Sequence, residues 1–237
     1  MNSLENQSIG QIVAEDYRTA QIFHNHKLDF CCGGTKTVAE ACEQNEINPQ
    51  EVLKELTALG NDGTQEDNYN TWSLDFLTDY IINNHHQFTR SKLPEIGFYA
   101  KKVAKVHGGR HPELIKIHQE FEKLSAEMME HMDKEEKILF PYIKKLVSGG
   151  ISEADKFKVG SASDPIEMME HEHDEAGASL AKIRELSNDF TLPEDACSTY
   201  TILFQNLEAF EKDMHKHVHL ENNILFPKSL QLERRTN

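Results

Sequence analysis

The chain has 237 residues, with 25 Lys and Arg against 40 Asp and Glu, a formal net charge of −15, and only 12 Gly and 7 Pro. So acidic a surface repels phosphate backbones and anionic headgroups, which argues against nucleic-acid and membrane-surface roles, and the composition is neither low-complexity nor collagen-like. No apolar run approaches the ~20 residues that span a bilayer, no basic-then-apolar leader opens the chain, and four cysteines are too few for a disulfide framework, so the expected setting is a reducing cytoplasm.

Near the N-terminus, Ile9, Ile12 and Val13 recur at helical spacing. Asn48-Pro49 ahead of Glu51-Val52-Leu53 reads as an N-cap followed by proline at the first helical position. Residues 1–60 are therefore expected to form a small helical domain, marginal as an independent fold at about 60 residues. The stretch Gly60 to Asn68 holds turn formers and no large apolar side chain, which predicts a linker over 61–70. Strand signals are missing beyond it. Four long helices are predicted over 71–107 (with Pro94 as a kink), 112–146, 164–186 and 194–230, with Gly108-Gly109 closing the first and a turn over 189–193 separating the last two. The connection over 148–163 has room for a short extra helix. The fold class is all-α: a small N-terminal helical domain plus an antiparallel four-helix bundle over 71–237.

Residues 131–141 read HMDKEEKILFP and residues 217–227 read HVHLENNILFP, two copies of His-x-x-x-Glu-x-x-Ile-Leu-Phe-Pro. Residues four apart share a helix face, so His131 points with Glu135 and His217 with Glu221, beside apolar neighbours that face the core. The alternative, a salt-bridged surface pair, suits one copy but not two. A carboxylate buried there twice needs a counter-charge, and a bound metal supplies it. Two carboxylates can bridge two metals with imidazoles in the terminal positions, and oxygen-plus-imidazole ligation suits iron, manganese or zinc. The remaining imidazoles should come from His85 or His86, from His171 or His173, and less well from His107. At ~1.5 Å per residue, His107 lies roughly 30 Å from His86, at the end of the bundle away from His131. Spacing alone leaves the His85/His86 and His171/His173 choices open.

At this point the chain resembles the iron–sulfur cluster repair di-iron proteins, whose second domain is hemerythrin-like. The residues that carry the resemblance are Asp29-Phe30-Cys31-Cys32-Gly33-Gly34, His86 upstream of Leu93-Pro94-Glu95, the stretch Lys102 to His107, the two His-x-x-x-Glu motifs, and His173-Asp174-Glu175-Ala176-Gly177. The resemblance implies that His86, His131, His173 and His217 ligate two non-haem iron ions bridged by Glu135, Glu221 and an oxo-type ligand. It also implies repair of iron–sulfur clusters damaged by nitric oxide or oxidants, by iron donation more than by turnover catalysis, with damaged iron–sulfur proteins as partners. The rival readings are a di-iron enzyme reducing nitric oxide or peroxide, and an oxygen or nitric oxide sensor. Cys31 and Cys32 are expected to act as a thiol pair, since adjacent cysteines rarely close a relaxed disulfide. Glu127 and Glu172 are expected to orient ligands or to line an iron passage. Phe140, Phe226, Cys42 and Cys197 are read as packing residues, and a homodimer is expected through the small N-terminal domain.

Overall fold

A computed structural model describes residues 4–59, 68–152 and 160–236. The expected linker up to residue 67, and the middle of the 148–163 connection, lie outside the described residues. Among those residues there is no strand, only an isolated bridge between Ser8 and Thr37.

The N-terminal helices are α1 (Ile9–Glu15), α2 (Thr19–Asn25), α3 (Val38–Gln44) and α4 (Pro49–Ala58). Three of the four starts follow from side chains that satisfy orphan backbone N–H groups: Ser8 accepts from Gln11 N, Thr37 and Glu40 form a reciprocal capping box, and Asn48 caps α4 with Pro49 just inside it. After them come α5 (Leu74–Tyr80), α6 (Gln87–His107), α7 (Glu113–Lys134), α8 (Phe140–Ser148), α9 (Ser163–Leu186), α10 (Ser198–Leu220) and α11 (Phe226–Thr236). α6 runs on through Pro94. The start of α10 lies four residues beyond its expected position at 194. Asn188, Asp189 and Phe190 take φ of 51°, 54° and 55°, and the chain needs a further turn, closed by Ala196 N–H to Pro193 O at 3.0 Å, before the helix can begin.

Three π-helical turns join these elements: Ile81–His86 between α5 and α6, Glu135–Leu139 between α7 and α8, and Glu221–Leu225 between α10 and α11. The last two are explained by the repeat. Pro141 and Pro227 have no N–H to return to the carbonyl four residues back, and their rings would clash with it. Widening the turn before each proline relieves the clash, and the N–H of Phe140 and Phe226 instead reaches back to the carbonyls of Glu135 and Glu221.

The chain divides into two compact units. One comprises residues 1–78, 143–150 and 216–237, so the N-terminal helices share a core with the ends of the later ones. Ile9, Val13, Phe23, Val38, Cys42 and Val52 are fully buried in it, as are Ile224, Leu225 and Phe226. The other comprises residues 79–142 and 151–215, where α6 and α9 both pack on α7. Along α7 and into the π-turn after it, Leu114, Ile117, Phe121, Leu124, Met128, His131 and Glu135 form one buried seam, alternately three and four apart, with Met132 buried beside it. This is the seam of helices packed side by side, and here its last two positions are polar. No helix among the described residues is long and apolar enough to cross a membrane.

Candidate metal centre

In the second unit three helical seams carry buried polar groups. Glu135 is fully buried, and His86, His131 and His173 are each 1% exposed. The Nε2 atoms of His86 and His131 both lie 3.3 Å from Glu135 Oε2, and His173 Nε2 lies 3.0 Å from His131 Nε2. Glu135 thus stands between one imidazole and a pair of imidazoles.

The far side of two of these rings is held by carboxylates. His86 Nδ1 lies 2.8 Å from Glu136 Oε1, and Arg90 anchors that carboxylate at 3.2 Å while reaching Asp133 at 2.8 Å. His131 Nδ1 lies 2.8 Å from Glu172 Oε2, and Lys134 also bonds Glu172. The hydrogen bond from His131, helped by Lys134 and opposed by partial burial, pulls the Glu172 pKa down to about 2. Glu172 is therefore an ionised acceptor, which fixes the proton of His131 on Nδ1 and turns the Nε2 lone pair toward Glu135. His86 is arranged the same way by Glu136.

In the first unit, His217 Nε2 and Glu221 Oε1 are 3.0 Å apart and both residues are fully buried. One turn away, the loop Asp29 to Gly34 is organised by a single carboxylate. Asp29 accepts the backbone N–H of Cys31 and Cys32 at 3.0 Å each, that of Gly33 at 2.9 Å, and the thiol of Cys31 at 3.2 Å. A Cβ on Gly33 would sit 2.8 Å from the Asp29 carbonyl oxygen, which explains the first glycine of the motif. The two sulfur atoms are 3.9 Å apart. The hydrogen bond to Cys32, burial, and the charges of Cys32 and Asp29 push the Cys31 thiol well above its ordinary pKa. Removing the Asp29 charge lowers it. Asp29→Asn is expected to move the pH midpoint of Cys31 alkylation downward, and an unmoved midpoint would limit Asp29 to holding the backbone.

The structure separates the histidines that spacing left open. His85 Nδ1 turns to Asp213 Oδ1 at 3.0 Å while His86 meets Glu135. The His171 side chain is 73% exposed, whereas His173 is buried against His131. His107 pairs with Cys197 Sγ at 3.2 Å, and Cys197 is exposed, which corrects its reading as a packing residue: it precedes α10 instead of lying inside it. Cys42, Phe140 and Phe226 are buried, with Phe140 stacked on His86 at 5.6 Å. Glu127 is half-buried, 3.8 Å from Lys123 Nζ. Sequence reasoning missed Glu136, Arg90, Asp29 as an organiser, and Asn222 and Asn223. For Glu136 there was a signal, the doubled Glu135-Glu136 beside a predicted ligand.

The buried donors are all imidazole and carboxylate, with His86 and His131 each oriented by an outer carboxylate, and such donors fit a hard or borderline metal ion. The comparisons with known proteins agree. Residues 77–229 match the hemerythrin HHE cation binding domain, and residues 5–60 match a domain of unknown function, DUF542. A probable iron-sulfur cluster repair protein of Haemophilus influenzae is 37% identical over 231 residues, covering 96% of this chain and 98% of that protein. The iron-sulfur cluster repair protein YtfE of Yersinia pseudotuberculosis is 34% identical over 228 residues, with 96% and 98% covered, and its namesake in Yersinia pestis matches to the same extent. A hemerythrin-type cation-binding domain behind a vicinal-cysteine domain, aligned end to end with these relatives, makes the chain a member of the iron–sulfur cluster repair protein family.

Proposed function

We propose that the chain is a cytoplasmic iron store that repairs iron–sulfur clusters damaged by nitrosative or oxidative stress. Two iron ions would be held by His86, His131, His173 and His217 and shared by Glu135 and Glu221. The single observation carrying this reading is the place of Glu135, fully buried with a histidine Nε2 on either side at 3.3 Å. A carboxylate so placed is costly alone and well placed to join two cations. The second copy of the repeat supplies His217 and Glu221 to the proposed set, as the first supplies His131 and Glu135.

Iron in this reading is cargo. Glu136 and Glu172 keep the Nδ1 protons of His86 and His131 in place, so the two Nε2 atoms present lone pairs to the cargo. Cys31 and Cys32, with Asp29 beside them, offer the receiving or client-docking group. The names of the relatives support repair as the task, and the client is an iron–sulfur protein with a damaged cluster. The test is metal analysis with Mössbauer spectroscopy on protein purified without added metal, then anaerobic incubation with an apo iron–sulfur protein. Two coupled irons per chain, lost in step with cluster recovery in the client, are expected. Irons that stay in place would make the centre catalytic or gas-binding, and a single metal or zinc would overturn the shared-carboxylate reading. Cys31→Ala/Cys32→Ala is expected to slow transfer without lowering iron content.

A further inference from the structure

We infer that Asn223 is a positioning residue that latches the thiol loop to the turn carrying Glu221, so that exposure of Cys31 and Cys32 follows the state of that turn. The inference rests on the reading of the thiol pair as the hand-over group and adds the means by which the pair is held.

Asn223 Nδ2 lies 3.2 Å from Phe30 O and 3.1 Å from Cys31 O, and Asn222 Nδ2 lies 3.4 Å from Cys31 O. The loop therefore hangs by its own carbonyls on two side chains of the π-turn Glu221–Leu225. On its other edge Asn223 is gripped by glycines. A Cβ on Gly10 would fall 2.0 Å from Asn223 Oδ1, and one on Gly34 would fall 2.2 Å from it. The Gly10 N–H donates to Gly34 O at 2.8 Å, so the two glycines form one cleft that the amide fills. His219 completes the seat: its Nδ1 lies 3.2 Å from Asn223 Nδ2, and its buried ring packs on Phe30 at 5.8 Å and on Tyr17 at 6.0 Å.

The second glycine of Asp29-Phe30-Cys31-Cys32-Gly33-Gly34 is thus explained by Asn223. The repeat itself does not demand the asparagines. In the other copy the corresponding residues are Glu136, which holds His86, and Lys137, which pairs with Asp133 at the surface. One turn geometry serves a ligand in the first copy and the thiol loop in the second. Because Glu221 opens the turn and Asn223 sits two residues along it, a change at Glu221 passes to the loop through a single turn of backbone.

The experiment labels the thiols of the full-length chain with an aromatic disulfide and reads modification of each cysteine by mass spectrometry, on metal-free protein and after anaerobic Fe(II) loading. In metal-free protein Asn223→Ala and Gly34→Ala are each expected to speed labelling of Cys31 about tenfold, the effect of losing roughly one net hydrogen bond. The double variant should be no faster than either alone, since both break one latch. Exposed Cys197 and buried Cys42 should be unchanged. Fe(II) loading should alter Cys31 labelling in the natural chain and leave it unaltered in Asn223→Ala. Unchanged Cys31 rates, additive effects, or equal acceleration at Cys42 would overturn the latch. Should the latch hold while Cys31→Ala/Cys32→Ala leaves iron transfer intact, the hand-over reading alone fails.

Discussion

On the proposed di-iron reading, Glu135→Ala is expected to empty both iron positions at once. Removing an outer hydrogen-bond partner of a metal ligand costs about 10–100-fold in affinity, so removing a shared ligand should weaken retention by at least about a hundredfold. Iron measured after desalting should fall well below one per chain, and cluster repair should fall with it. Glu136→Gln is the graded comparison. It leaves the ligand set complete but loses the charge that His86 Nδ1 and Arg90 both meet, and should lower affinity about 10–100-fold. A Glu135→Ala chain that keeps its full iron would show that the carboxylate is not shared. Equal losses in the two variants would mean that orientation of His86, more than bridging, limits retention.

The second large effect lies away from the metal set. Arg184 Nε donates to both oxygens of Glu211 at 2.9 and 3.0 Å, and Glu211 is 3% exposed. Arg184 also pairs with Asp189 at 3.3 Å and lies 4.8 Å from the centre of the Phe190 ring, so it pins the turn of three left-handed residues between α9 and α10. Arg184→Ala leaves a buried carboxylate without its cation, a loss of about 3–5 kcal/mol. At 2–4 °C per kcal/mol for a chain of this size, the melting temperature should drop by roughly 10 °C. Replacing both partners by apolar residues of similar volume should recover most of that, because the buried charge goes as well. A drop of under about 2 °C for Arg184→Ala would mean that water reaches Glu211 as easily in the folded chain as in the unfolded one.

Much of this arrangement is legible in the chain itself, because a buried helix face repeats every three or four residues. His86, Thr89, Leu93, Ile96, Ala100, Val103 and His107 follow one such seam, as do Ile166, Met169, His173, Ala176, Leu180 and Ile183. Polar residues that keep the beat of an apolar seam must be buried, and two His-x-x-x-Glu copies at the same beat mark a metal set before any fold is known. The four helices, the cap at Asn48 and the burial of Phe140 and Phe226 follow from the same local rules.

What periodicity could not reach depends on neighbours distant in sequence. His85 and His86 are both buried, and only the carboxylate each meets, Asp213 for one and Glu135 for the other, tells them apart. Asn223 reads as an ordinary helix residue, and Asp29 as part of a motif with no visible task, since the carbonyls and N–H groups they satisfy are backbone and leave no mark in composition. The amino-acid sequence alone determined the helices, their buried faces and the paired ligand motifs, because these rest on interactions within a turn or two. The tertiary structure decided which histidine meets which carboxylate and what the thiol loop rests on, because those contacts join residues up to 193 positions apart and exist only once the helices have packed.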